Sequence, residues 1–201
     1  MPPIPTTYTN SRTKRALDLT LATAGLTIVL LIAPFIFLMN QFTSPGPNIF
    51  KQTRIGKNNR RFTLYKFRSM EIPKPQNLFD SSTVGASRIS FAGKILRKTH
   101  IDELPQVFNV LIGNMSIVGP RPYIEEECLD LTNTVPGFQF RHQVKPGITG
   151  LAQVNYNHLN SGRDASDKLA IDLDYVNNGS LTLDLVILVR TIWHMLTTRG
   201  V

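Results

Sequence analysis

Between Leu19 and Met39 the chain carries no charged residue. A run of about 21 residues matches the ~20 that a helix needs to cross the hydrocarbon of a bilayer. A cleaved secretory signal would be shorter and followed by small residues; Asn40-Gln41-Phe42-Thr43-Ser44-Pro45-Gly46-Pro47 is a poor cleavage context, so the segment is expected to be retained. Arg12, Lys14 and Arg15 precede it, and Lys51, Arg54, Lys57, Arg60 and Arg61 follow. Cationic flanks tend to stay in the cytoplasm, and a single straight span cannot keep both there. Pro34 lies inside the run, where it removes an amide donor and crowds the carbonyl of Leu30. A kinked helix over residues 16–42 that enters one leaflet and returns resolves the conflict, with Thr27 and local backbone rearrangement serving the freed carbonyl. An ordinary tilted span and a buried core helix are the competing readings.

The rest of the composition fits one folded unit with an anionic partner. The 201 residues are 42% hydrophobic and carry a net charge of +8. Nucleic acid, an anionic membrane surface and phosphorylated small molecules all satisfy that charge. Cys128 is the single cysteine, so no intrachain disulfide exists. It follows Glu125-Glu126-Glu127, whose carboxylates would raise its pKa, and it reads as structural.

Residues 1–10 hold three prolines and read as a loose tail; residues 11–201 read as one domain, most of which, about 44–201, follows the apolar run. Ile49-Phe50-Lys51-Gln52 and the stretch Arg61 to Arg68 partly alternate apolar and polar residues around Gly56-Lys57-Asn58-Asn59, which predicts a short hairpin. Residues 71–88, with Pro73, Pro75 and Gly85, predict a loop. Leu104, Val107, Phe108 and Leu111 keep helical spacing up to the natural stop at Gly113. Helices are also expected over 123–132 and 164–176. Leu181 to Leu196 is apolar but broken by Asp184, Arg190 and His194; it suits the membrane interface or packing on the core.

The chemistry concentrates at Thr99-His100-Ile101-Asp102-Glu103-Leu104-Pro105-Gln106. Thr99 and Asp102 fit a capping box, which gives Asp102 a purely structural reading. The same place suits catalysis, because a helix N-terminus favours an ionised carboxylate and offers amides to a phosphate. Adjacent helical residues point about 100° apart, so Asp102 and Glu103 would divide roles rather than act as a symmetric pair. Lys94, Arg97 and Lys98 lie just upstream, and Arg121 sits between two prolines; arginine suits two-pronged phosphate contacts. His100, His142, His158 and His194 are scattered, without metal-ligand spacing, and read as noncatalytic.

Five stretches occur in order: Ser44-Pro45-Gly46-Pro47, Tyr65-Lys66-Phe67-Arg68-Ser69-Met70, Asp102-Glu103-Leu104-Pro105-Gln106, Gly113 to Pro122, and Pro146 to Val154. With them the chain, from about residue 11 onward, closely resembles the bacterial sugar transferases, small monotopic phosphoglycosyl transferases. The resemblance implies an α+β, mostly helical fold with a re-entrant membrane helix kinked at Pro34, interfacial amphipathic helices and a small cytosolic α/β region. It implies a protein of the bacterial cytoplasmic membrane whose catalytic region faces the cytoplasm, and it leaves a homo-oligomer open. It further implies that Asp102 attacks the β-phosphate of a UDP-sugar and releases UMP, and that a polyprenol phosphate then takes the phosphosugar. Glu103 would be the acid–base partner, Asp102 and Glu103 would hold Mg2+, and Lys66, Arg97 and Arg121 would contact phosphate.

Three departures from the family pattern stand out. The usual Ser-Pro kink is Ala33-Pro34, the usual Gly-Asp-Met-Ser is Gly113-Asn114-Met115-Ser116, and Asn155-Tyr156-Asn157 replaces a common Asn-Gly-Arg, with Arg163 coming later. A non-catalytic membrane protein binding anionic lipid would explain the charge and the apolar run, but not the carboxylate pair with its arginines. A nucleic-acid-binding module is disfavoured by the apolar run and by the lack of any nucleic-acid motif.

Overall fold

The computed structural model describes residues 3–43, 46–70, 90–155 and 165–197. Helix α1 (Arg12–Thr43) is followed by β1 (Ile49–Ile55), β2 (Arg61–Phe67), α2 (Phe91–Lys98), α3 (Gln106–Leu111) and β3 (Ser116–Val118). Then come α4 (Glu125–Thr134), β4 (Gly147–Thr149), α5 (Leu151–Asn155), α6 (Ala165–Asn178) and α7 (Leu181–Thr197). Among the described residues the fold is mostly helical with two small sheets. β1 and β2 form the expected antiparallel hairpin, pairing Ile49 with Phe67 through Ile55 with Arg61. β3 and β4 pair in parallel, Ser116 opposite Gly147 and Val118 opposite Thr149. The loop expected over 71–88 and the altered stretch 156–164 lie outside the described residues.

α1 is the longest element, and at ~1.5 Å per residue it reaches about 48 Å. It continues as one helix through Pro34. Its buried residues Lys14, Asp18, Ala22, Val29, Ile36 and Asn40 recur at helical spacing and form a stripe along one side. Ala22, Val29 and Ile36 belong to a core with Phe62, Leu64 and Phe67 of β2, Leu96 of α2 and Val107 and Val110 of α3. Elsewhere α1 is open: only 17% of its most apolar stretch is buried, and Leu30, Leu31 and Phe35 are exposed, so it is no ordinary core helix. The Thr27 hydroxyl does not serve the carbonyl freed by Pro34. It donates instead to the carbonyl of Thr23 one turn back, at 3.2 Å, the common local bond of a helical threonine.

The polar end of the α1 stripe is a buried ionic knot. Lys14 Nζ lies 2.7 Å from Asp184 of α7 and 3.4 Å from Asp18, and it donates to the Val118 carbonyl at 3.2 Å. The Tyr8 and Tyr175 hydroxyls donate to Asp184 at 2.8 and 2.7 Å, while the Ser116 hydroxyl and the Ile117 amide donate to Asp18. Residues 3–10 are therefore pinned rather than loose: the Thr6 amide donates to the Val176 carbonyl and the Thr6 hydroxyl to that of Gly179. The tail supplies donors that the α6–α7 turn needs, which its proline content does not reveal.

α7 splits into two faces. Asp184 and Ile187 are wholly buried, whereas Leu185, Val189, Ile192 and Leu196 form an exposed apolar stripe. The buried face bears out the core-packing reading, and the exposed stripe is the surface that the membrane-interface reading would require.

Replacing Lys14 with Ala should cost about 3–5 kcal/mol, because two carboxylates would remain buried without their cation. Thermal unfolding in detergent checks this; a loss below about 1 kcal/mol would remove the knot's structural importance.

Candidate active site

Asp102 and Glu103 sit in a single 3-10 turn, Ile101–Glu103, between α2 and α3. The capping box expected from Thr99 does not form. Thr99 ends α2, its hydroxyl donating back to the carbonyls of Ile95 and Leu96 at 2.8 and 3.2 Å, and His100 takes a left-handed conformation with φ 55°. The Glu103 and Leu104 amides donate to the carbonyls of His100 and Ile101, so neither is free for a donor phosphate. Ser90 makes the true cap upstream, accepting from the Gly93 amide at 2.9 Å.

The two carboxylates have different surroundings. Glu103 Oε1 is held by Lys66 Nζ at 2.7 Å and by an Arg121 nitrogen at 2.8 Å, while Oε2 meets Arg121 at 3.5 Å. Although burial opposes ionisation, Arg121 and Lys66 together hold Glu103 well below the ordinary glutamate range. Asp102 is buried, 8% exposed, and its carboxylate has no hydrogen bond or ion pair among the described residues. Burial pushes its pKa up and Glu103 adds to the rise, against the pull of Lys66, His100 and Arg97. Asp102 is therefore not kept ionised by a helix terminus: the turn is one residue triplet, and desolvation dominates.

β2 delivers Lys66, and α3 is stitched to the same strand by Asn109. The Asn109 amide donates to the Thr63 carbonyl at 2.6 Å and its oxygen accepts from the Tyr65 amide at 3.2 Å, which covers the strand edge left open by β1. Arg97 is exposed in the last turn of α2 and acts on Asp102 through space. Pro34 lies on α1 and takes no part in this cluster.

Arg121 is fixed through its backbone. The carbonyls of Pro120, Arg121 and Pro122 accept, in turn, from the Gly147 amide at 3.0 Å, an Arg141 nitrogen at 2.7 Å and an Arg54 nitrogen at 3.2 Å. Arg141 is itself buried against Asp172 at 2.7 Å and lies over the Tyr123 ring. Gly119 and Gly147 permit this crossing, since a Cβ on Gly147 would come within 2.1 Å of the Gly119 nitrogen. Two of the ordered sequence stretches thus meet in space behind Arg121. Arg54, Asn109 and Arg141 were not singled out from the sequence; a polar Asn109 inside the apolar rhythm of α3 was the one available signal.

Cys128 is buried, with Sγ 3.8 Å from His142 Nε2, and burial rather than the neighbouring glutamates is the main cause of its raised pKa. His142 also contacts Asn59 at 2.6 Å, and burial followed by Arg141 pushes its pKa down to about 4.

The bacterial sugar transferase profile matches residues 9–198. The chain belongs to that family. It is 39% identical over 189 residues to the UDP-N-acetylgalactosamine-undecaprenyl-phosphate N-acetylgalactosaminephosphotransferase of Aeromonas hydrophila, covering 93% of this chain and 44% of that protein. The UDP-glucose:undecaprenyl-phosphate glucose-1-phosphate transferase of Escherichia coli is 38% identical over 194 residues, with 94% of this chain and 41% of the relative covered. These two relatives are matched over less than half their length. The exopolysaccharide production protein PSS of Rhizobium leguminosarum bv. phaseoli is 40% identical over 200 residues, with 93% and 96% covered.

The raised pKa of Asp102 fixes the sign of a stability effect. The folded state holds this proton more tightly than the unfolded chain, so ionised Asp102 opposes folding. The penalty is absent below the ordinary aspartate value of 3.8, grows as pH rises toward the folded pKa and is complete above it. Asp102→Asn should therefore leave stability unchanged or raise it at neutral pH, with the gain shrinking in acid. A lost cap would instead cost about 0.5–2 kcal/mol. Melting temperatures of both proteins between acid and neutral pH separate the two.

Proposed function

We propose that this protein is a membrane phosphoglycosyl transferase that moves a phosphosugar from a UDP-sugar to a polyprenol phosphate, starting assembly of a bacterial glycoconjugate. The observation that carries the reading is the contrast within the carboxylate pair: Glu103 is saturated by cations, whereas Asp102 is buried and has no hydrogen-bond or ion-pair partner among the described residues. A carboxylate without hydrogen bonds has its lone pairs available for attack. In the first step an Asp102 oxygen bonds to the β-phosphorus, the bond from that phosphorus to the bridging oxygen breaks, and UMP leaves with the electron pair. In the second, a phosphate oxygen of the polyprenol phosphate attacks the same phosphorus and the Asp102 carboxylate departs. Lys66, Arg97 and Arg121 offset the charge of two anionic substrates, and Glu103 serves as acid–base partner once the incoming phosphates compete for its cations.

The described residues hold no cluster of three or more metal-ligating side chains. Mg2+ nevertheless fits here, because it is commonly held by one or two carboxylates plus substrate phosphates. The unpartnered Asp102 oxygens and Glu103 Oε2, reached by Arg121 at 3.5 Å, are the groups that would hold it. When bound, it would neutralise charge on the donor diphosphate.

The names of the relatives support the UDP-sugar donor and the undecaprenyl-phosphate acceptor. A re-entrant α1 is supported by how its flanks meet, and placement in the cytoplasmic membrane with the catalytic region facing the cytoplasm is supported by the cationic residues on both flanks. Lys57, beyond the apolar run, donates to Asn10, before it. Arg15 donates to the Val110 carbonyl at 2.7 Å, and Asn40 to that of Arg68 at 3.3 Å, so one body grips both ends. A straight crossing would pull those contacts apart.

In a Cys128→Ser background, cysteines replacing Thr13 and Arg60, one on each flank, should label from the same side of the membrane in intact and opened vesicles. Labelling from opposite sides would refute the re-entrant arrangement.

The covalent step has its own test. Incubated with a UDP-sugar and no acceptor, wild type should release up to one UMP per active site and gain a phosphosugar mass on the peptide containing Asp102. Asp102→Asn should release none while remaining folded. An adduct on Glu103 would move the role to the neighbour, and UMP released only with both substrates present would point to direct transfer.

A further inference from the structure

A cavity of about 380 Å³ opens at the start of α1, walled by Arg12, Lys14, Arg15, Asp18, Ser116 and Lys145 among others. That volume falls in the range of about 300–1,000 Å³ typical of small-ligand sites. It is separate from the carboxylate pair. Asp102 precedes α3, whereas Arg15 grips the carbonyls of Val110 and Leu111 at the opposite end of that helix.

The charge in this cavity is unbalanced. Lys14 and Asp18 are committed to the buried knot, where Asp18 also accepts from Ser116 and Ile117. Arg15 spends two of its five N–H donors on α3. Lys145 Nζ has no hydrogen bond or ion pair among the described residues. Lys145 and Arg15 nevertheless converge. The spot that a side chain on Gly113 would fill is 3.7 Å from Lys145 Nζ and 4.0 Å from an Arg15 nitrogen. Gly113 has φ +92°, a left-handed turn that favours glycine, so that spot stays open. Burial, then the neighbouring Arg15, pushes the Lys145 ammonium below the usual lysine range, with Lys57 and Lys14 acting the same way and Asp18 opposing. Cations crowded in this way gain most from an anion that several can share.

We propose that this cavity binds a phosphate group through Lys145, Arg15 and Arg12, at a second anion site on the far side of α3 from Asp102. The inference does not depend on the transferase chemistry. The phosphate comes either from an anionic phospholipid headgroup or from free phosphate. Ile112, beside Gly113 and 61% exposed, gives the site an apolar neighbour of the kind an acyl chain would cover.

The test uses the full chain in detergent with two probes. Native mass spectrometry compares retention of phosphatidylglycerol with that of phosphatidylcholine, and thermal unfolding compares inorganic phosphate with chloride at matched ionic strength. Wild type should prefer phosphatidylglycerol about tenfold or more if the headgroup is the ligand, or gain melting temperature with phosphate if the free ion is. The preference or gain should vanish in the double variant Arg12→Gln/Lys145→Gln. It should persist in Lys51→Gln/Lys168→Gln, which removes the same charge at exposed positions, and in the conservative Lys145→Arg. Melting without either probe reports whether each variant is folded, and Lys145→Gln alone replaces the double variant if that one is not. No response of wild type to either probe, an unchanged response in the cavity variant, or an equal loss in the control variant overturns the site.

Discussion

The Lys14 ammonium sits where α1, β3 and α7 cross, and its burial sets conditions on everything around it. A buried cation needs carboxylates, and buried carboxylates need donors to fill their remaining lone pairs. Asp184 comes from α7, Asp18 from the next turn of α1, and the donors come from Tyr8, Tyr175, Ser116 and Ile117. Replacing Lys14 leaves two carboxylates buried without a cation. The knot therefore locks the apolar helix, the N-terminal residues and the exposed apolar face of α7 into one relation. It also fixes β3, whose next residues are Gly119, Pro120 and Arg121. The segment carrying the site arginine is thus anchored at the foot of the same helix that presents the apolar surface.

A similar economy governs the site. Glu103 draws in Lys66 and Arg121 from separate elements, which gathers two cations at one point; under the proposed function these are the cations a diphosphate donor would need. Asp102, one residue away, gains nothing from those hydrogen bonds yet lies within their field. That asymmetry needs rigid support, and it is found in the backbone: three successive carbonyls around Arg121 are each held by a donor from a different segment. Holding the main chain leaves the guanidinium held, among the described residues, only through Glu103, so under the proposed function it could exchange that carboxylate for phosphate, which a side chain locked by its own packing could not do.

Much of this was legible in the sequence because it is local. Helical spacing marked α3, helices were expected where α4 and α6 lie, an apolar run marked α7, alternation marked the β1–β2 hairpin, and the adjacent Asp102 and Glu103 with Arg121 marked the candidate site. What failed was local pattern overruled by tertiary context. Thr99 and Asp102 have the spacing of a capping box, yet packing ends α2 at Thr99 and turns the chain at His100. Lys14 looks like a flanking surface charge until Asp184, 170 positions away, is brought against it. Asp184 in turn looked like an interruption of an apolar helix. Arg54 and Arg141 carry no sequence mark because they act on carbonyls, which are present at every position.

The partial spending of the basic flank on internal contacts bears on how α1 meets a membrane. Of the three cations before the apolar run, Lys14 is consumed in the knot and Arg15 partly by α3, which leaves Arg12 as the exposed charge of that flank. A count of flanking charges therefore overstates what remains to choose an orientation. The contacts themselves bear on the proposed re-entrant arrangement: with Lys57 on Asn10 and Asn40 on Arg68, the two ends of α1 are tied to one folded body. Under that proposal, a helix tied at both ends would expose its outer face to lipid along its length, whereas carrying one end across a bilayer would break the polar contacts that hold the other.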